Sequence, residues 1–165
     1  MAFDSSAPRR MARAVGTVVL AAVLVLVIAA PAGAGSKHRE RHRVDLNGAT
    51  KMVGGTIIPG PVIDRGTVDG KPFRDGRIKL VVQLDIATAT ATGSFRIRDD
   101  RGTAFGTVDM TFTISGNEIT FNGTADFTGG KGRYKGIRGR DLKAYDHNTL
   151  DGQNGTIRLK GFVRY

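Results

Sequence analysis

Hydrophobic and polar residues alternate along much of the second half of the chain. From Ile78 to Leu84 every second residue is apolar, with Lys79 and Gln83 among the polar residues between them. The same period of two recurs at 95–98, 108–115, 119–127 and 157–164. This period predicts β-strands with one face toward a core and the other toward water. No long stretch has the 3.6-residue period of an amphipathic helix, so the folded part is predicted to be all-β.

Short turn sequences separate the predicted strands. They include Asp75-Gly76, Ser115-Gly116-Asn117, Asp151-Gly152 and Asn154-Gly155. Glycine, Asn and Asp supply the positive φ angles that tight hairpins need, so the strands are expected to form an antiparallel meander. A long meander removes its exposed edges by closing on itself. We therefore predict an antiparallel up-and-down β-barrel of about eight strands, with a two-sheet β-sandwich as the alternative.

The first 34 residues have the features of a secretory signal peptide. Arg9, Arg10 and Arg13 precede an uncharged apolar stretch at 14–30, which is followed by small residues. This order predicts a signal helix that is cleaved after Ala34, or alternatively after Ala32, and a secreted protein. An uncleaved anchor is the alternative, because seventeen apolar residues are at the lower limit for spanning a bilayer. The anchor would be the protein's only membrane contact.

The remaining chain divides into a polar lead-in and one domain. Residues 35–43, GSKHRERHR, cannot bury a core and predict a disordered basic linker. Residues 44–165 have the length of a single β-barrel domain. His38 and His42 are four residues apart, but arginines surround them, so we expect no metal site and no cofactor.

Composition narrows the function further. Residues 35–165 contain 22 Lys and Arg and 14 Asp and Glu, which gives a net charge of +8. The chain has no cysteine, which excludes thiol catalysis and cysteine-ligated metals. The positive charge favours an anionic cell-surface polymer as a partner. We expect no nucleic-acid partner, because the chain has no Trp, few aromatic residues interrupt its basic segments, and secretion removes the usual targets.

Residues 129–143, GGKGRYKGIRGRDLK, are the most unusual segment of the sequence. Lys131 is followed by Gly132 rather than Ser or Thr, and no helix is predicted after it, so this is not a phosphate-binding P-loop. We interpret residues 128–132 as the loop after the 118–127 strand, with Tyr134 starting the next strand and a bulge at Gly136. Most of the cations then face water. The side chains of Arg138 and Arg140 point either to water or into a pocket, depending on the bulge.

The same segment resembles a known family. The run 125–139, ADFTGGKGRYKGIRG, is similar to the G-G-[TS]-G-x-[FY]-x-x-[AI]-x-G stretch of the allene oxide cyclase/dirigent barrel superfamily, especially its secreted bacterial relatives. The matching residues are Gly129, Gly130, Gly132, Tyr134, Ile137 and Gly139. Lys131 departs from the usual Thr or Ser. The resemblance implies an eight-stranded antiparallel barrel, trimeric in many plant members. It carries no catalytic residue over, because the polar residues at the mouth of the plant barrels have no match here.

The candidate ligand-binding residues are polar or aromatic residues near this segment: Tyr134, Arg138, Arg140, Tyr145 and His147. His147 is the only histidine after position 43, and either a general base or an exposed loop histidine fits its setting. We identify no catalytic residue. The apolar stretch 53–63, VGGTIIPGPVI, contains two prolines and predicts an irregular edge segment that flanks a pocket mouth.

These observations favour a secreted, non-catalytic barrel that binds a small apolar ligand or a partner surface. An enzyme of the cyclase/dirigent type, acting in a barrel pocket, is the first alternative. An electrostatic binder of anionic cell-surface polymer is the second. A homo-oligomer is compatible with all three.

Overall fold

The structure, a computed structural model, describes residues 39–57 and 60–165. Its strands are β1 (Arg41–Gly55), β2 (Val62–Lys71), β3 (Gly76–Asp85), β4 (Thr90–Asp99), β5 (Gly102–Ser115), β6 (Glu118–Gly132), β7 (Gly139–Thr149) and β8 (Gly155–Arg164). Each strand pairs antiparallel with the next, and β8 pairs antiparallel with β1. The eight strands therefore form a closed up-and-down barrel. This confirms the predicted fold and excludes the sandwich.

The N-terminal predictions fall mostly outside the described residues. The signal segment 1–34 and residues 35–38 lie there. In the described part no helix is long and apolar enough to cross a membrane. The barrel begins earlier than the sequence indicates, because β1 starts at Arg41. Arg41, His42 and Arg43, which the sequence assigned to the linker, thus belong to the first strand.

The predicted alternation defines the barrel interior. On β3, Ile78, Leu80, Val82 and Leu84 are all buried. The inward residues of β4, β5, β6 and β8 follow the same rule. Ile114, at the end of β5, is the exception with half of its surface exposed. The period of two is therefore a reliable guide here, because each strand packs only one face against the core.

The segment after β6 differs from its prediction. β6 continues to Gly132, so residues 128–132 are strand rather than loop. Residues 133–136 form a turn instead of the start of a strand. Its backbone donates from Lys135 to Gly132 (3.1 Å) and from Ile137 to Tyr134 (3.0 Å). Gly136 has a φ of +78°, which favours glycine in this turn. The turn, not a bulge, is what lets Tyr134 and Ile137 both be buried.

Aromatic side chains close one end of the barrel, where β1 begins and β8 ends. Phe73 and Tyr134 are completely buried, and their ring centroids are 4.5 Å apart. The Tyr134 hydroxyl donates to the Asp99 carboxylate. Arg101 also donates to this carboxylate (3.0 Å), as do the backbone amides of Arg101 and Gly102 (3.0 Å each). Asp99 therefore ties the aromatic plug to the β4–β5 turn. We call this the plugged end.

We predict that Asp99→Ala destabilises the barrel by roughly 2–4 kcal/mol, because it leaves two backbone amides without their acceptor and leaves the buried Tyr134 hydroxyl only a long contact to the Pro72 carbonyl (3.4 Å). Urea unfolding followed by circular dichroism measures the change. The matched control is Asp109→Ala, an exposed acid on β5, which should change stability by less than about 0.5 kcal/mol. Equal effects of the two substitutions would contradict the assigned role of Asp99.

Candidate functional site

Two carboxylates lie inside the other end of the barrel. Asp64 on β2 and Asp146 on β7 are only 6% and 4% exposed, respectively. Both occupy inward positions of their strands. Asn148, two residues beyond Asp146 on the same strand, is also buried. Buried carboxylates are rare unless they are paired or functional. We call this the acidic end.

The polar groups at the acidic end are only partly satisfied. The Asn148 side-chain amide donates to Asp146 Oδ1 (3.0 Å). The hydroxyl of Thr50, on β1, is buried and has no hydrogen-bond partner among the described residues. Gly155 on β8 leaves the space that these groups need, because a Cβ there would collide with Asn148 Oδ1 and Thr50 Oγ1. Residues from four strands thus build one polar cluster.

A small cavity lies against this cluster. Its volume is about 40 Å³, and its wall includes Asp64, Asp146 and Asn148. The rest of the lining is largely apolar: Met52, Ile57, Val62, Val82, Leu84, Met110, Ile119, Phe121 and Leu150, with Thr149 and Gly152. A volume of this size holds a few water molecules or a functional group of a few atoms. The cavity therefore combines an apolar wall with two acids at its polar side.

Burial shifts the acidity of both carboxyl groups. The pKa of Asp146 is raised from 3.8 to about 7, mainly by burial among apolar side chains and secondly by the negative charge of the neighbouring Asp64. Burial also raises the pKa of Asp64. A charge on Asp64 opposes ionisation of Asp146, so the titrations of the two groups are coupled.

This arrangement allows three kinds of chemistry. Near pH 7 the Asp146 carboxyl, with a pKa of about 7, is protonated in part of the population, so it is able to donate as well as accept a hydrogen bond. It is able to pair with a cationic or hydroxyl group that enters the cavity. It also has the pKa expected of a general acid or base at neutral pH. Within residues 39–57 and 60–165, no three His, Asp or Glu side chains are placed to hold a metal ion.

The five residues singled out from the sequence lie elsewhere, in three separate places. Tyr134 is in the plugged end. Arg138 and Arg140 are exposed and line a groove on the outside of the barrel, so their side chains point to water and not into the barrel. Tyr145 is on the outer face of β7. His147 is half-buried there, with Nδ1 3.1 Å from the Thr120 hydroxyl. None of the five contributes to the lining of the cavity.

The stretch 53–63 is placed partly as predicted. Ile57 and Val62 line the cavity, which confirms the prediction that this stretch flanks a pocket. It is not an edge segment, because β1 pairs with β2 up to Gly55 opposite Val62. Its two ends are instead parts of these paired strands, residues 53–55 in β1 and residues 62–63 in β2.

Sequence reasoning missed Asp146 and Asn148 because it considered the outer face of β7. The run Tyr145-Asp146-His147-Asn148 drew attention to Tyr145 and His147, which face outward. The available signal was parity: Leu142 and Ala144 share the face of Asp146 and Asn148. Extending that apolar alternation by two more positions places both polar residues inside the barrel.

Comparisons with protein families, with curated proteins and with solved structures find no match to this chain. The resemblance of residues 125–139 to the allene oxide cyclase/dirigent superfamily therefore stays a prediction.

We predict that the unfolding free energy falls as pH rises from about 4.5 to 7.5, by roughly 2–4 kcal/mol. The sign follows from Asp146: its pKa is about 7 in the folded protein against 3.8 ordinarily, so between these values the folded state binds the extra proton. Raising the pH removes that proton and its contribution to stability. Urea unfolding at a series of pH values measures the slope.

Two variants assign the slope to the acid pair. Asp146→Asn keeps an oxygen to accept from Asn148 and should remove most of the fall. Asp64→Asn should move the fall to lower pH, because the Asp64 charge contributes to raising the Asp146 pKa. The exposed-acid variant Asp109→Asn should keep the wild-type slope. A wild-type stability that rises across this window, or an unchanged slope in Asp146→Asn, would contradict the assignment.

Proposed function

We propose that this barrel binds a small, mostly apolar molecule that carries one amine or hydroxyl group. The observation that supports the proposal is the buried pair Asp64 and Asp146 facing an apolar cavity. Burying acids without a stabilising partner lowers stability, and a ligand donor group supplies that partner. The unpartnered Thr50 hydroxyl offers a further hydrogen bond at the same end.

The size of the cavity limits the ligand. Typical pockets for drug-sized molecules have several hundred Å³, and this cavity has about 40 Å³. A ligand group of a few atoms fits without rearrangement. A longer molecule inserts its polar group beside the acids and displaces Ile57 or Leu150 from the cavity wall. The proposed ligand therefore has a small polar group at one end, which enters the cavity first, and an apolar remainder.

Butylamine and butanol serve as minimal probes of this site. We expect both to shift the backbone amide NMR signals of residues 146–148 in a saturable way, with butylamine binding more tightly because it carries a charge opposite to that of the acids. Butyrate, of similar length but anionic, should produce no saturable shift because the acids repel it. The titrations are repeated with Asp64→Asn/Asp146→Asn, which should lose the preference for butylamine over butyrate.

Asp109→Asn is the matched control, since it removes an exposed acid on β5 and should retain wild-type binding. Native mass spectrometry of protein purified from its host provides an independent measurement of a retained molecule. The proposal is wrong if host-purified protein has a clean ligand-free mass and neither probe shifts the signals of residues 146–148.

A second candidate function is an enzyme of the cyclase/dirigent type. One observation favours it: an acid whose pKa is raised to about 7 within an apolar cavity is suited to move a proton at neutral pH. Asp146 is the residue that would exchange the proton, and Asp64 is the neighbouring charge that helps raise its pKa. The resemblance of residues 125–139 to that superfamily points in the same direction, by analogy of fold.

Butanone in D₂O tests this second function. Removing and returning a proton next to its carbonyl replaces hydrogen with deuterium, and proton NMR follows the loss of signal. If the pair acts as an acid and base, exchange should exceed the buffer blank, with a pH dependence centred near the Asp146 pKa of about 7. Asp146→Asn should reduce exchange to the blank, and Asp109→Asn should not. Exchange equal to the blank in the wild type would remove support for this candidate while leaving the binding proposal intact.

A further inference from the structure

A row of four cations crosses the outside of the barrel. Strand register places Lys51 on β1 opposite Arg65 on β2, Arg65 opposite Lys79 on β3, and Lys79 opposite Arg96 on β4. All four side chains are exposed. We call these four residues the cationic row. None of them belongs to the two basic segments identified in the sequence, residues 35–43 and 129–143.

No member of the cationic row forms an ion pair within the described part of the chain, and Glu118, which lines the same outer groove as Lys51 and Arg65, lies against His147 instead (3.8 Å). The ion pairs found there involve Arg43, Arg101, His42 and His147, and none involves a member of the row. Like charges directly opposite each other on neighbouring strands destabilise a sheet. The fold therefore maintains three consecutive repulsive pairs, which an external anion would relieve.

Further cations extend this surface. Arg77 and Arg98 face each other across β3 and β4, one outward position along from Lys79 and Arg96. In the other direction, Arg96 is opposite Phe105, and Phe105 is opposite Gly129. The Arg138 guanidinium lies beside Gly129, and its backbone bridges to Arg164, which is opposite Arg41. Three more cations thus lie beyond the uncharged Phe105 and Gly129, and the cationic row itself ends at Arg96.

The spacing of the row suits a linear polyanion. Neighbouring strands lie about 4.8 Å apart, so four strands carry charges over about 14 Å at the level of the backbone. A single small anion contacts only one or two of these side chains. A polymer with an anionic group on each repeating unit is able to contact all four. Its binding would release counter-ions and weaken steeply with salt.

The curvature of the barrel distinguishes among polyanions. From the first to the fourth of these strands there are three of the eight inter-strand steps around the barrel, so the outermost side chains of the row point about 135° apart. A flat bilayer reaches only part of such a row, whereas a flexible chain follows it. Single-stranded nucleic acid is flexible too, but it requires aromatic residues for base stacking. The exposed aromatic residues of the described part, Tyr145 and Phe162, are on β7 and β8, and the half-buried Phe105 opposite Arg96 is a single ring rather than a series of stacking positions.

We propose that the outer face of β1–β4 binds a linear anionic polysaccharide, one carrying carboxylate or sulfate groups, through the cationic row. Guanidinium and ammonium groups pair with both kinds of anion. The half-buried side chains of Ile63 and Val81 lie beside the row on the same outer face and offer apolar contact to the sugar rings. The predicted secretion of the protein places it where such polymers occur. This surface is separate from the acid-lined cavity, so either proposal stands if the other fails.

Two variants with equal net charge test the proposal. The row variant changes Lys51, Arg65, Lys79 and Arg96 to Gln. The control variant changes four exposed cations outside the row to Gln, namely Lys71, Arg74, Lys131 and Lys135. Calorimetric titration with polygalacturonate and with heparin, over a series of NaCl concentrations, gives the affinity and its salt dependence. The two polymers distinguish carboxylate from sulfate as the preferred anion, and neutral dextran is the blank.

We expect the row variant to bind at least tenfold more weakly than the wild type at low salt. Its salt slope should fall by roughly three, since each lost ion contact removes about 0.7–0.9 of the slope. The control variant should stay within about threefold of the wild type. Lys51→Arg/Lys79→Arg, which keeps the charges, should also bind normally. If the row variant does not fold, the pairs Lys51→Gln/Arg65→Gln and Lys79→Gln/Arg96→Gln should each give about half the reduction in slope.

Other outcomes overturn the proposal. An equal loss in the row and control variants would mean that net charge alone drives binding. Tighter binding of vesicles containing phosphatidylglycerol, or of oligothymidylate, than of either polysaccharide would assign the face to a different class of partner. Binding that does not weaken with salt, or no binding to either polysaccharide at low salt, would also refute it.

Discussion

The hydrogen-bonded ladder between β1 and β8 is the constraint on which the rest of this structure depends. It pairs Arg41 with Arg164 at one end and Thr50 with Gly155 at the other. This ladder converts a meander into a barrel and removes the free edges that an open sheet exposes. Closure also creates an inside with two ends and an outside with continuous rows across strands. The two proposed sites, the acid-lined cavity inside the barrel and the cationic row on its outside, both depend on this closure.

The two ends of the interior have opposite characters. At the plugged end, Asp99 receives hydrogen bonds from Tyr134, Arg101 and two backbone amides, which lower its pKa despite its burial. At the acidic end, Asp146 receives fewer hydrogen bonds and lies near Asp64, and its pKa rises instead. A carboxylate with several donors contributes to the structure, whereas one with few donors remains available to a ligand. This contrast is the reason that the proposed ligand is assigned to the acidic end.

The sequence predicted the strands best where apolar residues fill the inward positions, as on β3 and β5. It predicted β1, β2 and β7 least well. Those strands carry Thr50, Asp64, Asp146 and Asn148 at inward positions, which interrupt the apolar alternation. The same polar residues that made these strands hard to recognise in the sequence form the polar cluster of the acidic end. Local rules commonly fail at sites where selection favours something other than stability.

The sequence by itself determined the all-β class and the antiparallel meander, because alternation and turn residues act over neighbouring positions. It also determined the excess of positive charge. Only the tertiary structure decided which charges meet. Asp64 and Asp146 are 82 positions apart in the chain, and Lys51 and Arg96 are 45 apart. Register and closure alone fix which of these residues share a cavity or a row, since both depend on hydrogen bonds between strands that are distant in sequence.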